Sequence, residues 1–373
     1  MSTSLFEKKI CDLFPLRTWE KYRVCLAISG GPDSVALLRA MASIAEQNEL
    51  QKNLLVATVN HGLRGKESDD EAIFVKDLAF SLGLSAVIKS VDSEFLKSEV
   101  QRTKSLENAA RNARYQLLLE AAEQGGARYV LTAHHRDDQL ETILFRLMRG
   151  AGFESVRGMK VFRPLNDAVV LARPMLAVTR QEVLEYLSEL HQDYKTDSSN
   201  VSPKHTRNRI RNELVPTLNS IFPEQWQRNL LRHVSACNEI HERLEREVCK
   251  LESDLLVESR RNVIWRQTLN ALRATNTHDA QDSFLDPDSI AFPLSTLQQA
   301  PEEVLRVFFR RVWQRQKWPV VDMSAEEWNR LAKAVKTGAF TNQFPGNIVL
   351  TYSNNGLIAK ITRKKPTSTL TTG

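Results

Sequence analysis

The chain has 373 residues, 42% hydrophobic and 26% charged, the ordinary balance of a soluble protein with room for one large and one smaller core. No apolar run approaches the ~20 residues needed to cross a bilayer, and Met1 to Pro15 mixes charge into its apolar pieces as a signal peptide does not. Cys11, Cys25, Cys237 and Cys249 are far apart and form no C-x-x-C, which argues against a zinc ribbon or redox pair and predicts reduced thiols in a cytoplasmic protein. The net charge of +6 is compatible with a polyanionic partner without requiring one.

The apolar, β-prone run Val24-Cys25-Leu26-Ala27-Ile28 predicts a first strand, and the helical pattern from Val35 to Met41 predicts a first helix. Between them stands Ser29-Gly30-Gly31-Pro32-Asp33-Ser34. Strand, glycine turn and helix start in that order make a pocket for polyphosphate. The glycines admit the anion to the backbone, and the first-turn amides have no intrahelical partners. Pro32 suits the first helical position, where its missing N–H would be an orphan anyway. Ser29 and Ser34 add hydroxyl donors, and Asp33 is placed to hold a magnesium ion. The segment is not a Walker loop, because no lysine lies between Ile28 and Arg39.

Leu54 to Val59 predicts a second strand ending in Asn60-His61-Gly62-Leu63-Arg64-Gly65. A helix over Ser68 to Leu82 follows, opened by acidic residues, and then a short strand at Ser85 to Lys89. Ser105 begins a long alanine-rich helix that stops at Gly125-Gly126. Tyr129 to Thr132 is a fourth strand, handing over to Ala133-His134-His135-Arg136-Asp137-Asp138-Gln139-Leu140-Glu141-Thr142 at the start of another helix. The alternation predicts an α/β fold: a doubly wound, mostly parallel sheet of Rossmann-like kind. The polar clusters at 29–34, 60–65 and 133–141 all follow strand ends and should meet at one site. Asp138 and Glu141 lie three apart on one helix face, and His134, four before Asp138, is expected on the same face.

Beyond Asp193 the character changes. Asp193 to His205 is polar, and Arg207, Arg209 and Arg211 then recur at every second residue, suiting a surface that tracks a polyanion backbone or simply a solvated face. Glu224 to Ser259 and Pro301 to Lys317 read as amphipathic helices, Thr275 to Pro287 as a loop, and Ile348 to Ile361 as a terminal hairpin.

Several readings stay open at this level. His134 and His135 lack a third ligand at a zinc spacing; Asp137 serves a helix start as well as it serves chemistry; Arg114 can pair with Glu107 or Glu120.

Taken in order, these motifs resemble the PP-loop (N-type) ATP pyrophosphatase superfamily, and within it the tRNA(Ile)-lysidine synthetase family. The resemblance rests on 29–34, Asn60 to Arg64, Glu107 to Tyr115, and Ala133 to Thr142 with Arg146 and Arg149-Gly150. It continues through Arg173-Pro174-Met175-Leu176, Arg180 to Val183, Asp197 to Asn200 and Arg207 to Arg211. It implies an ATP- and Mg2+-dependent ligase, with tRNA(Ile) bearing a CAU anticodon and free L-lysine as substrates and a homodimer as an expected assembly. Ser29 to Ser34 are then the nucleotide-binding residues, and Asp33, Arg114, His134, Asp138 and Glu141 the catalytic set. Arg207, Arg209 and Arg211 become RNA-binding. The implied organisation is an ATP-binding catalytic domain over 1–218, a mainly helical tRNA-binding domain over 219–366 and a disordered tail over 367–373. The longer members carry a further carboxyl-terminal domain, so gripping the acceptor stem is expected to fall to the helices between 224 and 317.

Overall fold

The computed structural model describes residues 4–60, 66–149, 157–195, 206–223, 225–260, 289–320, 323–338, 342–353 and 358–363. The motif residues His61 to Gly65, Gly150 and Asp197 to Asn200, the loop 275–287 and the tail 367–373 lie outside these. The chain divides into two compact units, Met1–Val234 and Ser235–Gly373.

The first unit opens with α1 (Leu5–Leu13) and α2 (Leu16–Trp19) and then alternates β1 (Arg23–Ala27), α3 (Pro32–Gln47), β2 (Leu54–Asn60), α4 (Lys66–Ser81) and β3 (Ser85–Ser90). It continues with α5 (Ser93–Thr103), α6 (Leu106–Gln124), β4 (Ala127–Leu131), α7 (Arg136–Met148), β5 (Phe162–Pro164), β6 (Val170–Ala172) and α8 (Arg180–Glu189). The strands form one six-stranded sheet in the order β3-β2-β1-β4-β6-β5. All neighbours are parallel except the edge strand β5, which runs antiparallel to β6.

Strand periodicity explains the two cores. Val24 and Leu26 of β1 point to the face covered by α1, α3, α4 and α8, while Cys25 points to the face covered by α6. All three are fully buried, as a central strand of a doubly covered sheet requires. From β1 the chain winds outward to β3 and then returns to place β4 on the other side of β1. That reversal opens a crevice at the carboxyl ends of β1 and β4, where ligands of such sheets bind.

Helix α1 is fixed by a capping box between Ser4 and Glu7 and by Phe6, whose ring stacks on Tyr186 of α8 at 4.2 Å. After α8 come α9 (Thr206–Arg209), a π-helical turn (Ile210–Leu214) and α10 (Val215–Ile221). The boundary between the two units falls inside the long helix α11 (Gln225–Arg260).

The second unit holds a four-stranded antiparallel sheet, β7 (Ser289–Pro293), β10 (Ile358–Arg363), β9 (Ile348–Ser353) and β8 (Asn342–Phe344), in that spatial order. Among the described residues, the carboxyl-terminal part of α11 and helices α12 (Leu294–Gln299), α13 (Glu302–Arg315) and α14 (Ala325–Thr337) belong to it as well. Its core is aromatic: Trp313 meets Trp318 and Trp328 edge-on at 5.0 and 5.3 Å, and Phe292 meets Phe308 at 5.2 Å. The terminal hairpin is β9–β10, extended on both edges by strands that the sequence pattern did not reveal.

Candidate active site

The loop after β1 has the shape of an anion cradle. Gly30 has φ +87°, a conformation that L side chains rarely adopt, and its carbonyl accepts from the Lys195 amide at 2.9 Å. Gly31 is the N-cap of α3 but offers no side chain, so the first-turn amides are left open to a ligand. Buried Ser34 braces the loop: its Oγ donates to the Gly31 carbonyl at 2.9 Å and accepts from the Ser29 amide at 3.2 Å. The Ser29 and Ser34 hydroxyls are 3.3 Å apart.

Across the crevice, the chain after β4 corrects one expectation. Helix α7 begins at Arg136, because extended His135 takes the N-cap position and forms a capping box with Asp138. His134 therefore precedes the helix and does not share the face of Asp138 and Glu141. The H-x-x-D spacing of 135–138 was the available signal, since an N-cap and its N3 partner stand three apart. His135, absent from the expected site residues, is the hub of this corner. Its ring is 1% exposed, with Nε2 3.6 Å from both Asp33 Oδ1 and Asp138 Oδ2, and Nδ1 3.6 Å from Asp137 Oδ2. Burial favours neutral imidazole, but the close approach of Asp33 and the charges of Asp138, Asp33 and Asp137 outweigh it and raise the pKa. The neutral ring accepts the Asp138 amide at Nδ1 over a long 3.4 Å; protonation gives that contact up and turns Nδ1–H to Asp137.

Asp33 also receives the Arg180 guanidinium, with Nη1 donating to Oδ1 and Oδ2 at 3.1 and 2.9 Å. Burial pushes the Asp33 carboxyl up, yet His135 and Arg180 together hold it below the usual carboxylate range. Asp137 neither caps its own helix nor faces the crevice alone: it accepts the Arg180 amide at 2.9 Å, at the first turn of α8.

Asp138 and Glu141 do share a face, and two arginines meet them there. Arg207 donates from Nε to Glu141 at 3.0 Å and from Nη2 to Asp138 at 3.1 Å. Arg211 donates from Nε to Glu141 at 2.5 Å and from Nη2 to Asp138 at 3.1 Å. Arg207 and Arg211 stand four apart and share one side, whereas Arg209 points elsewhere, to Glu213 on the exposed surface at 3.1 Å. The three arginines thus do not act as one fan: two close on the acidic pair. Glu141 is 2% exposed, so its charge depends on those partners.

His134 lies in the opposite environment. Its Nδ1 is 2.9 Å from the Thr132 hydroxyl, and burial, followed by the charges of Arg173, Arg114, Arg111 and Arg207, holds its pKa well below 6.5. It is the neutral histidine of the pair. Arg114 has no carboxylate partner among the described residues; its guanidinium lies 5.6 Å from the Tyr115 ring centre, and its Nε is buried without a partner.

Among the described residues no cluster of three or more His, Cys, Asp or Glu could hold a metal ion. Asp33, a carboxylate beside an anion cradle, fits the way magnesium is held in phosphate sites, by one or two carboxylates with the phosphates completing its shell, on exchange of the Arg180 guanidinium for the ion.

A loop of this build at the carboxyl edge of a reversing parallel sheet defines the class. The PP-loop domain family matches residues 3–218, and the chain belongs to that family, which implies ATP use. Its sequence is 43% identical over 201 residues to a tRNA(Ile)-lysidine synthase of Geobacter sulfurreducens, an alignment covering 54% of this chain and 41% of that protein. It is 36% identical over 228 residues to a protein of the same name in Chlorobaculum tepidum, covering 61% and 66%. The chain thus spans less than two thirds of the length of these relatives. Among solved structures, the U34-tRNA thiolase NcsA of Methanococcus maripaludis shares the fold, with TM-score 0.51 and 16% identity over 63% of this chain and 78% of that one.

Proposed function

We propose that this chain is a carbon–nitrogen ligase of the tRNA(Ile)-lysidine synthase kind, acting on a CAU-anticodon tRNA(Ile) with ATP and free L-lysine. The wobble cytosine oxygen attacks the α-phosphorus of ATP and pyrophosphate leaves; the lysine ε-amine then attacks the activated carbon and AMP leaves. The supporting observation is one continuous set of contacts. It runs from the Ser29–Ser34 cradle through Asp33 and His135 to Asp138, Glu141, Arg207 and Arg211.

In this reading the amides and hydroxyls of 29–34 hold the triphosphate and stabilise charge on the departing pyrophosphate. Asp33 would hold the magnesium ion, whose contribution when bound is to neutralise phosphate charge. Arg180 and His135 keep Asp33 ionised for that task. Neutral His134 and Arg114 face the reacting base, His134 with a ring nitrogen able to take a hydrogen bond.

Asp138 and Glu141 receive the lysine ammonium by exchange for a guanidinium, which frees Arg207 or Arg211 for the RNA backbone. Carboxylates that bind an ammonium also raise its pKa, so proton transfer to the acidic pair accompanies attack. Arg209, held by Glu213 on the exposed surface, meets the RNA in this reading only by giving up that pair. Pairing of two copies in the cytoplasm, the expected assembly and compartment, is not required by any residue of this site.

A thiolase reading is less well supported, since such chemistry needs a reactive thiol beside the nucleotide loop. Cys25 is buried within β1, with its thiol pushed up to about 12 by burial. The test is purified protein with ATP, radiolabelled lysine and a CAU-anticodon tRNA. Lysine incorporation with AMP release is the expected result; ATP–pyrophosphate exchange without lysine uptake would overturn the reading.

A further inference from the structure

Four arginines from three separate segments surround one tyrosine. Around the Tyr115 ring, the guanidinium carbons of Arg111 and Arg114 on α6 lie at 5.3 and 5.6 Å, and that of Arg163 on β5 at 4.9 Å. Arg173, just beyond β6, is close enough to the same tyrosine for the two to interact electrostatically and sends Nη1 to the Lys160 carbonyl at 2.8 Å. Among the described residues none of the four is ion-paired to a carboxylate. Like charges this close repel, and Tyr115 offsets only part of that through its ring face and hydroxyl. Two features show that the set is incomplete. Arg173 is 4% exposed and its Nε has no partner, and the buried Nε of Arg114 has none either. A buried donor without an acceptor is costly unless a ligand supplies one.

We infer that Arg111, Arg163 and Arg173 around Tyr115 form a phosphodiester subsite for the RNA substrate. Sheet order separates it from the ATP cradle. The cradle follows β1, the two histidines follow the adjacent β4, Arg173 follows the next strand β6, and Arg163 sits on the edge strand β5. At about 4.8 Å per strand, the backbone of Arg173 lies two strand spacings and that of Arg163 three, roughly 10–14 Å, across the sheet from β1. His134 and the acidic pair come between. A base splayed out of its stack and placed against His134 has ATP on one side and its own backbone phosphate on the other, and that phosphate meets the arginines. Arg173 is the buried anchor, and Arg111 and Arg163 are the exposed contacts.

This inference rests on the proposed function, and one experiment separates the two. Binding of a transcribed CAU-anticodon tRNA and of ATP is measured over a salt series for the full chain and for the R111Q/R163Q double variant, alongside lysine incorporation. Both positions are exposed, so folding is undisturbed. The expected result is about ten-fold weaker RNA binding and a salt slope smaller by about one, with ATP affinity unchanged and R111K/R163K restoring most of the loss. Unchanged RNA affinity and slope overturn the subsite, as does a loss of ATP affinity alone, which would assign the arginines to the nucleotide. A wild-type chain that binds tRNA at these arginines yet incorporates no lysine overturns the ligase reading and leaves the subsite standing. One that binds ATP but no tRNA overturns both.

Discussion

His134 and His135 are adjacent in sequence and lie in opposite electrostatic fields: the first faces arginines, the second faces aspartates. Consecutive residues in extended chain point to opposite sides, and this segment crosses the crevice between the basic and acidic walls. The result is one neutral and one readily protonated imidazole a single peptide apart, which separates hydrogen-bond acceptance from charge.

The pair makes a prediction about pH. His135 has a raised pKa, so its share of stability is full below the ordinary histidine value of 6.5 and is lost as pH rises through its higher folded value. His134 has a lowered pKa, so its share is full above 6.5 and is lost as pH falls towards its folded value. Denaturant midpoints measured from pH 5 to 8 should show H135N losing the alkaline decline and H134N losing the acidic one. Asparagine at 135 can still cap α7, so the effect is charge and not helix loss. Identical pH profiles for both variants and wild type would remove the assignment.

The glycines of the cradle should separate folding from ligand binding. Gly30→Ala forces a side chain into φ +87° and should cost about 1–3 kcal/mol in thermal or denaturant unfolding. At Gly31 a Cβ meets only the Ser29 Oγ at 3.9 Å and φ is ordinary, so Gly31→Ala costs only about 0.5 kcal/mol through the weaker N-cap. Its effect should be on ATP affinity, because the added methyl stands where the anion approaches the backbone. A destabilised G31A with normal ATP affinity would contradict this use of the loop.

Much of this was legible in the chain. The alternation from β1 to β4 was read from apolar runs bounded by turns, and the 29–34 loop from its glycines and position. Strands β5 and β6 escaped because three residues each, Phe162–Pro164 and Val170–Ala172, are too short for periodicity and hold only by pairing to a formed sheet. The closure of Arg207 and Arg211 on Asp138 and Glu141 joins positions 66 to 73 residues apart. Only the i,i+4 relation of the two arginines was available locally, and it does not name its partner.

That closure predicts unequal costs for losing each partner. Glu141→Gln leaves two guanidiniums without their most buried counter-charge and should destabilise the fold by about 1–3 kcal/mol, below the range of about 3–5 kcal/mol for broken buried pairs because both arginines are over a third exposed. Arg209→Gln breaks only an exposed i,i+4 pair with Glu213 and should change stability by less than about 0.5 kcal/mol. In the lysine assay E141Q should abolish incorporation while leaving ATP binding within about two-fold, as a group acting only on the amine requires. Equal loss of ATP binding would place Glu141 with the nucleotide instead.

Helix α11 supplies the last prediction. Arg228 and Arg232 stand one turn apart on it, both exposed, and Arg243 further along is exposed too. None of the three forms an ion pair with a carboxylate among the described residues, so each charge is free to meet a polyanion. Charge reversal to glutamate at all three should weaken binding of the CAU-anticodon tRNA uniformly against other tRNAs and lower the salt slope by about two to three. Lysine transfer at saturating tRNA should be unchanged, because the loss is in docking and not in the crevice. Unaltered affinity in a salt titration would exclude these residues from the RNA-binding surface and leave the arginines beside Tyr115 to carry it.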